Sequence, residues 1–207
     1  MKEFPCQLYL ISPLDVGGDF PAQLEAALSA GPVAAFQFRV KELDQHEAAA
    51  LAEPLQAICA AHDVAFIVND SVALAKRLKA DGVHLGQGDG DVREARELLG
   101  SNAQIGVTCH NSRHLAMEAA EAGADYVAFG AFYPTATKAV DHVAELDTLQ
   151  KWSFVTEVPC VAIGGITPEN AKPLVDAGAD FIAVSGAVWS HPHGPAEAVK
   201  AFNALLA

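Results

Sequence analysis

The feature that most constrains the fold is a short apolar run that recurs eight times and alternates with alanine-rich segments of helical spacing. Such runs are typical of parallel strands covered by helices, because these strands are buried on both faces and are hydrophobic throughout. The eight predicted strands cover residues 7–11, 34–38, 65–68, 82–85, 105–107, 126–129, 160–163 and 181–184.

The segments between the runs carry start and stop signals for helices. Five predicted helices cover residues 47–61, 72–78, 92–99, 115–122 and 196–206. Asp44 and Ser71 are candidate N-caps, Pro168 suits a first helical turn, and Gly100, Gly123 and Gly178 suit helix ends. The motif Ala-Gly-Ala-Asp occurs at 122–125 and again at 177–180, which indicates that one supersecondary unit is reused.

Eight strand–helix units in 207 residues give about 26 residues per unit. This count predicts an α/β protein formed by a single-domain (β/α)8 TIM barrel over residues 1–207. The alternative is a doubly wound open sheet, which usually has five or six strands and a glycine-rich G-x-G-x-x-G after the first of them. Residues 12–18, Ser-Pro-Leu-Asp-Val-Gly-Gly, do not match that motif.

Composition narrows the possible partners. The chain has 13 Lys and Arg against 26 Asp and Glu, a net charge of −13, so its field repels polyanions and argues against a general nucleic-acid binder. No apolar run reaches the roughly 18 residues of a membrane span. The first residues lack secretory features, and Cys6, Cys59, Cys109 and Cys160 form no C-x-x-C pair, so we expect reduced thiols in a cytoplasmic protein. A homo-oligomer is left open.

Polar residues follow each predicted strand, at the end of the barrel where active sites lie. Alternation in the segment 37–41 predicts that Gln37, Arg39 and Lys41 share one face. The corresponding residues after the later strands are Asn69 and Asp70, then His84 and Asp89, then Thr108 and His110, then Thr135, Thr137 and Lys138, then Gly164 and Gly165, and last Ser185 and Gly186.

These residues predict a pocket for a pyrophosphate and a second phosphate. Asp70 and Asp89 are the candidate Mg²⁺ ligands, because this cation prefers carboxylates together with water and substrate phosphates. The paired glycines at 164–165 would let an anion approach the backbone. Structural alternatives stay open: Asp70 could begin a helix, Asp89 could form a turn, and the threonine-rich loop at 135–138 could be a turn alone.

The sequence resembles the thiamine phosphate synthase family through motifs spread over nearly the whole chain. They are Gln-Phe-Arg-Val-Lys at 37–41, Val-Asn-Asp at 68–70, Asp-Gly-Val-His-Leu-Gly-Gln at 81–87 with Asp89, Gly-Val-Thr-Cys-His at 106–110, Gly-Ala-Asp-Tyr-Val at 123–127, Tyr-Pro-Thr-Ala-Thr-Lys at 133–138 and Ala-Ile-Gly-Gly-Ile at 162–166. As a set these motifs are specific, whereas the glycine pair alone occurs in many barrels.

The resemblance implies a (β/α)8 barrel that condenses hydroxymethylpyrimidine pyrophosphate with hydroxyethylthiazole phosphate. The products would be thiamine phosphate and pyrophosphate, and the cofactor would be Mg²⁺. The implied chemistry is dissociative: pyrophosphate leaves first, and the electron-rich pyrimidine stabilises the carbocation until the thiazole nitrogen attacks. Positioning and electrostatics then supply most of the catalysis.

The resemblance also implies roles for single residues. Catalytic roles fall to Arg39, Lys41, Lys138 and Thr108, metal binding to Asp70 and Asp89, and substrate binding to Gln37, Asn69, His84, His110, Thr135, Thr137, Gly164, Gly165, Ser185 and Gly186. Within these sets, Asn69 would help the three cations to hold the pyrophosphate, and Gln37 would contact the pyrimidine.

Two other functions fit the same barrel. A thiazole tautomerase would use His110 to move a proton, and a non-catalytic barrel would bind a thiazole or thiamine phosphate as a regulator. The complete set of Arg39, Lys41, Lys138 and the two aspartates favours the transferase, since the tautomerase branch lacks much of this set.

Overall fold

The computed structural model describes residues 5–135 and 142–206, and its strands close into one parallel barrel. The strand order follows the sequence, and the last strand pairs with the first. The strands are β1 Gln7–Ile11, β2 Ala35–Phe38, β3 Ala65–Asn69, β4 Gly82–Leu85, β5 Gln104–His110, β6 Tyr126–Phe129, β7 Cys160–Ile163 and β8 Phe181–Val184. The predicted (β/α)8 fold is confirmed.

Helices alternate with the strands along the chain. They are α1 Phe20–Leu28, α2 Gln45–Ala61, α3 Val72–Leu78, α4 Val92–Leu99, α5 Arg113–Glu121, α6 Leu146–Val155, α7 Pro168–Asp176, α8 Gly186–Trp189 and α9 Pro195–Leu206. None of the helices in the described ranges is long and apolar enough to cross a membrane.

The predicted helix caps are confirmed. The Asp44 side chain accepts hydrogen bonds from the backbone N–H groups of His46 and Glu47, and Glu47 completes a capping box, so α2 begins at Gln45. Ser71 accepts from the N–H of Leu74 at the start of α3. These bonds satisfy donors that a helix start otherwise leaves unpaired.

The largest difference from the predicted strands is β5, which runs to His110 and not to residue 107. Its pairing with β6 continues through Thr108 opposite Ala128 and His110 opposite Phe129, with a register shift between the two pairs. The shift marks a bulge, and bulges re-aim side chains at the rims of barrels. A pattern of apolar residues gives no signal for polar residues that remain in the ladder.

The barrel has two cores that the continuous apolar runs do not distinguish. The outer core, between strands and helices, contains Phe36 and Phe66. The inner core, inside the barrel, contains Tyr9, Ile67 and Tyr126. Alternate residues of β1, β2, β3, β6, β7 and β8 therefore belong to different cores, as the period of two requires. No disulfide forms in the part of the chain that is described: Cys6 is half-buried, and Cys59, Cys109 and Cys160 are buried.

Candidate active site

The ends of β3 and β4 form the acidic side of the barrel mouth. Asp70 follows β3 directly, and its backbone N–H donates to the carbonyl of His84 at 2.8 Å. This bond keeps the chain at Asp70 against β4, where the residue takes a left-handed conformation with φ of 65°. Aspartate tolerates this region better than most residues with a Cβ atom.

Asp70 and Asp89 are brought together as the sequence predicts. Their side chains share a hydrogen bond, and the pKa of Asp70 is raised to about 6, first by burial and then by Asp89. One Asp89 oxygen also accepts the backbone N–H of Gly86 at 2.9 Å. A Cβ atom at position 86 would crowd that same oxygen, so a larger residue there would displace the Asp89 carboxylate.

The acidic pair suits a divalent cation that has few protein ligands. No group of three or more His, Cys, Asp or Glu side chains that could hold a metal occurs within residues 5–135 and 142–206. A metal here would therefore have two carboxylate ligands and take the others from water or substrate. Mg²⁺ is usually bound in this way, together with substrate phosphates. The donor set fits the expected cation.

Arg39 lies beside this acidic pair. Charge interactions with Lys41 and Arg39 oppose the rise in the Asp70 pKa, so both cations lie near that carboxyl group. The Nη1 atom of Arg39 is buried and has no hydrogen-bond partner in the part of the chain described here. A buried charged donor without a partner is costly, so this atom favours an anionic ligand at the barrel mouth.

Ser12 fixes the backbone that carries Arg39, and sequence reasoning missed it. The Arg39 N–H donates to Ser12 Oγ at 2.9 Å. The Ser12 hydroxyl in turn is placed to donate to the carbonyl of Arg39 at 3.1 Å or to that of Pro13 at 2.9 Å. Ser12 is fully buried. The signal for it was its place directly after β1, the same position that identified the other mouth residues.

A chain of five hydrogen-bonded side chains crosses the inside of the barrel below the mouth. Gln37 Nε2 donates to Tyr9 Oη at 2.9 Å, Tyr9 Oη lies 2.9 Å from Tyr126 Oη, and Tyr126 Oη lies 3.1 Å from His84 Nδ1. His84 Nε2 lies 2.8 Å from Thr108 Oγ1. We call these five residues the relay.

Burial sets the protonation of the relay. It lowers the pKa of His84 to about 4 and raises the pKa of Tyr9 to about 12, so both groups are neutral near pH 7. Tyr9 and Tyr126 were absent from the sequence-based site. Their alternate positions in β1 and β6, on the strand face that points into the barrel, could have identified them. Both lie within apolar runs, however, where a tyrosine looks like an ordinary core residue.

The opposite side of the mouth joins the loop after β6 to the end of β7. The Tyr133 N–H donates to the Gly164 carbonyl at 3.1 Å, and both Gly164 and Gly165 have positive φ, 104° and 63°. A Cβ atom at Gly165 would overlap the Pro134 carbonyl. The glycine pair is therefore required by its backbone conformation and by close loop packing, which places Thr135 near the end of β7.

Two further predicted residues lie at neighbouring strand ends. The Ser185 hydroxyl donates to the Ser12 carbonyl at 3.4 Å, so the end of β8 adjoins the end of β1. Gly186 begins the short helix α8 and is exposed. His110 ends β5, and its ring centroid lies 4.7 Å from that of His142.

The structure thus divides the predicted site into two sides. The side formed by β2 to β5 carries Gln37, Arg39, Lys41, Asn69, Asp70, His84, Asp89, Thr108 and His110, and the side formed by β6 to β8 carries Thr135, Gly164, Gly165, Ser185 and Gly186. Thr137 and Lys138 lie outside the described residues. Gln37 is more deeply placed than the alternation suggests, since only 4% of its surface is exposed.

Comparison with known proteins gives one consistent result. A family model described as thiamine monophosphate synthase matches residues 8–188. The thiamine-phosphate synthase of Erythrobacter litoralis is 70% identical, over 99% of this chain and 97% of its own length. That of Rhodospirillum centenum is 54% identical, over 97% and 98%. The solved thiamine phosphate pyrophosphorylase of Pyrococcus furiosus superposes with a TM-score of 0.86 at 31% identity, over 97% and 95% of the two chains.

Proposed function

The chain belongs to the thiamine monophosphate synthase family and is a transferase that forms thiamine phosphate, and we propose that its barrel mouth does so by a dissociative, Mg²⁺-assisted reaction. The substrates are hydroxymethylpyrimidine pyrophosphate and hydroxyethylthiazole phosphate, and pyrophosphate is released. The tautomerase and regulator alternatives are not supported by the names of the relatives.

The observation that carries the proposed mechanism is the buried Nη1 atom of Arg39. It has no partner among the described residues, and it lies on a segment whose two cations act on Asp70. A pyrophosphate bound between Arg39, Lys41 and the carboxylates would give the guanidinium its missing acceptor. Charge-assisted hydrogen bonds of this kind are about twice as strong as neutral ones.

The proposed reaction needs electrostatic help more than a side-chain base. The carbon–oxygen bond of the pyrimidine pyrophosphate breaks, and its electron pair stays with the pyrophosphate. Arg39 and Lys41 stabilise that growing negative charge, and fixed charges aimed at developing charge are the most effective catalytic groups. The thiazole nitrogen then supplies the electron pair of the new carbon–nitrogen bond, so no proton has to be removed.

Asp70 and Asp89 would hold Mg²⁺ against the pyrophosphate. When bound, the cation supplies Lewis-acid stabilisation of the leaving group. Burial first and Asp89 second raise the Asp70 pKa, and a bound cation would offset the repulsion between the two carboxylates.

The thiazole phosphate would bind on the β6 to β8 side. Thr135 supplies a hydroxyl, and the backbone near Gly165 and Ser185 supplies N–H groups, a combination typical of phosphate sites in the last loops of such barrels. The roles of Thr137 and Lys138 stay predictions from the resemblance. A cytoplasmic location and a homo-oligomer also stay predictions.

The test is a coupled assay that follows pyrophosphate release with both substrates present, together with a measurement of the thiamine phosphate formed. We expect release to stop when a chelator removes divalent cations and to return when Mg²⁺ is added in excess. Full activity in the chelator would contradict the metal assignment, and release without thiamine phosphate formation would contradict the transfer step. Omission of each substrate in turn is the control.

A further inference from the structure

The hydrogen bonds of the relay can all run in one direction along it or all in the other. The direction decides whether the groups at its two ends present a donor or an acceptor to a substrate. The three hydroxyl groups of the relay each carry one hydrogen, and neutral His84 carries one hydrogen on its ring. A run of such groups is fully satisfied when every contact pairs one donor with one acceptor. Any mixed order leaves a buried hydroxyl hydrogen without an acceptor in the relay, or sets two donors against each other.

Two complete orders are therefore available. In the first, Gln37 donates to Tyr9, Tyr9 to Tyr126 and Tyr126 to Nδ1 of His84, whose Nε2–H then donates to Thr108. In the second, every hydrogen bond is reversed, and Nδ1 of His84 carries the proton. The two orders leave opposite hydrogen-bonding groups at the ends of the relay.

The structure has the first order, because the nitrogen of the Gln37 amide and not its oxygen faces Tyr9. The Gln37 oxygen then makes no hydrogen bond within the described ranges. Among the described residues Arg39 Nη1 is the fully buried side-chain atom without a partner, so the Gln37 oxygen, which also has none, is not fully buried. Gln37 therefore offers an acceptor. In this order His84 donates to Thr108, whose hydroxyl lies 2.8 Å from Nε2, so the Thr108 hydrogen is left to donate.

We propose that Tyr9 and Tyr126 are specificity-determining positioning residues, which fix the Gln37 amide so that the site accepts an aminopyrimidine and rejects its oxo analogue. The proposal rests on the proposed function, in which Gln37 contacts the pyrimidine. An amino group donates to the fixed acceptor. An oxo group at the same place would set two acceptors against each other, and turning the amide would require the whole relay to reverse.

The first experiment needs no activity. Histidine labelled with ¹⁵N is incorporated, and the ring nitrogens of His84 are observed at neutral pH in the free wild-type protein. The His84→Asn variant identifies the resonances by their disappearance. We expect the tautomer with hydrogen on Nε2, whereas hydrogen on Nδ1 would mean the reversed order and would overturn the proposal.

The second experiment measures preference. Wild-type protein, Tyr9→Phe and Tyr126→Phe are compared in kcat/KM for the amino and oxo forms of the pyrimidine pyrophosphate, and in inhibition constants for the two monophosphates, which lack the leaving group. We expect wild type to prefer the amino form by about 1,000-fold or more. Each variant should lose about 10-fold to 100-fold of that preference, because the Gln37 amide can then turn.

Tyr133→Phe is the matched control. It removes a phenolic hydroxyl that donates to the Asn170 carbonyl outside the relay, and we expect its preference to equal that of wild type. Equal losses in all three variants, or no loss in Tyr9→Phe and Tyr126→Phe, would contradict the proposal. Absence of thiamine phosphate synthesis by wild type would instead contradict the proposed function, and the tautomer measurement would still decide the order of the relay.

Discussion

The carboxyl groups of Asp70 and Asp89 share a hydrogen bond, although one follows β3 and the other lies in the loop after β4. Two carboxyl groups that meet in this way keep a proton between them up to the raised pKa of about 6, and a bound cation would take the place of that proton. The pair therefore connects metal binding, acidity and stability, and the first two predictions measure these connections.

Asp70→Asn and Asp89→Asn should each lower kcat by about 100-fold, because each removes one charged ligand from the cation on the leaving group. Asparagine keeps the side-chain shape and tolerates the left-handed backbone at position 70. Steady-state kinetics over a Mg²⁺ titration measures the effect. Asp91→Asn is the control, since Asp91 caps α4 and asparagine caps equally well. Wild-type rates at limiting Mg²⁺ would contradict the assignment.

In the metal-free protein, Asp70 should contribute a loss of stability as pH rises from about 4 to above about 6, while the buried, neutral His84, whose pKa is lowered to about 4, contributes an opposing gain. Asp70 has a pKa of about 6 in the folded chain against an ordinary value of 3.8, so the folded state holds an extra proton between these limits. That proton contributes stability at low pH, and this contribution is lost as pH rises through the pKa of the folded state. Urea unfolding of wild type and Asp89→Asn in a chelator separates the two contributions, because the variant should lose part of the Asp70 contribution and keep that of His84. An unchanged slope in that variant would show that Asp89 does not raise the Asp70 pKa.

Arg39→Lys should lower kcat/KM for the pyrimidine pyrophosphate by about 10-fold to 100-fold. Lysine keeps the charge but lacks the planar fork that carries the buried Nη1 donor. Kinetics at low and high salt separates a specific contact from long-range attraction. Arg93→Lys, on the exposed face of α4, is the control. A small effect that salt abolishes would mean that Arg39 only steers the substrate.

Gly106→Ala should destabilise the protein by about 1 to 3 kcal/mol, the usual cost of overpacking a core. A Cβ atom at position 106 would overlap the Tyr126 ring, which is buried inside the barrel. Urea unfolding measures the loss. Gly88→Ala provides the comparison, because a Cβ atom there meets nothing within 4 Å. Equal stability of the two variants would mean that Tyr126 can move without cost.

His110→Ala should reduce thiamine phosphate formation by less than about 10-fold, since the transfer needs no general base. If His110 moved a proton in the reaction, its loss would cost about 100-fold to 10,000-fold. The coupled assay distinguishes these results, with far-ultraviolet circular dichroism as the check on folding. A collapse of the rate with Mg²⁺ dependence intact would contradict the proposed mechanism.

The barrel was predictable because parallel strands covered on both faces leave continuous apolar runs. The predicted limits of β1, β4, β6, β7 and β8 agree with the structure, and so do those of α3 and α4. The extension of β5 was not predictable, because Thr108 and His110 are polar and their pairing depends on the register of β6. Local composition carries no information on that register.

The acidic pair was predictable from position alone, since residues that follow neighbouring parallel strands meet at one edge. The relay was not. Tyr9 lies 117 positions from Tyr126, and each tyrosine reads as an ordinary apolar residue of its strand. Only barrel closure shows that the two phenols meet, because closure decides which alternate residues face the axis.

The left-handed backbone at Asp70 has a consequence for how this position can change over time. A residue with a Cβ atom in that conformation costs about 1 kcal/mol relative to glycine. Selection for heat resistance alone would favour glycine at position 70, while selection for turnover retains the carboxylate. Stabilising substitutions in such a barrel are therefore expected in the helices and the outer core, while Asp70 keeps its left-handed backbone at the barrel mouth.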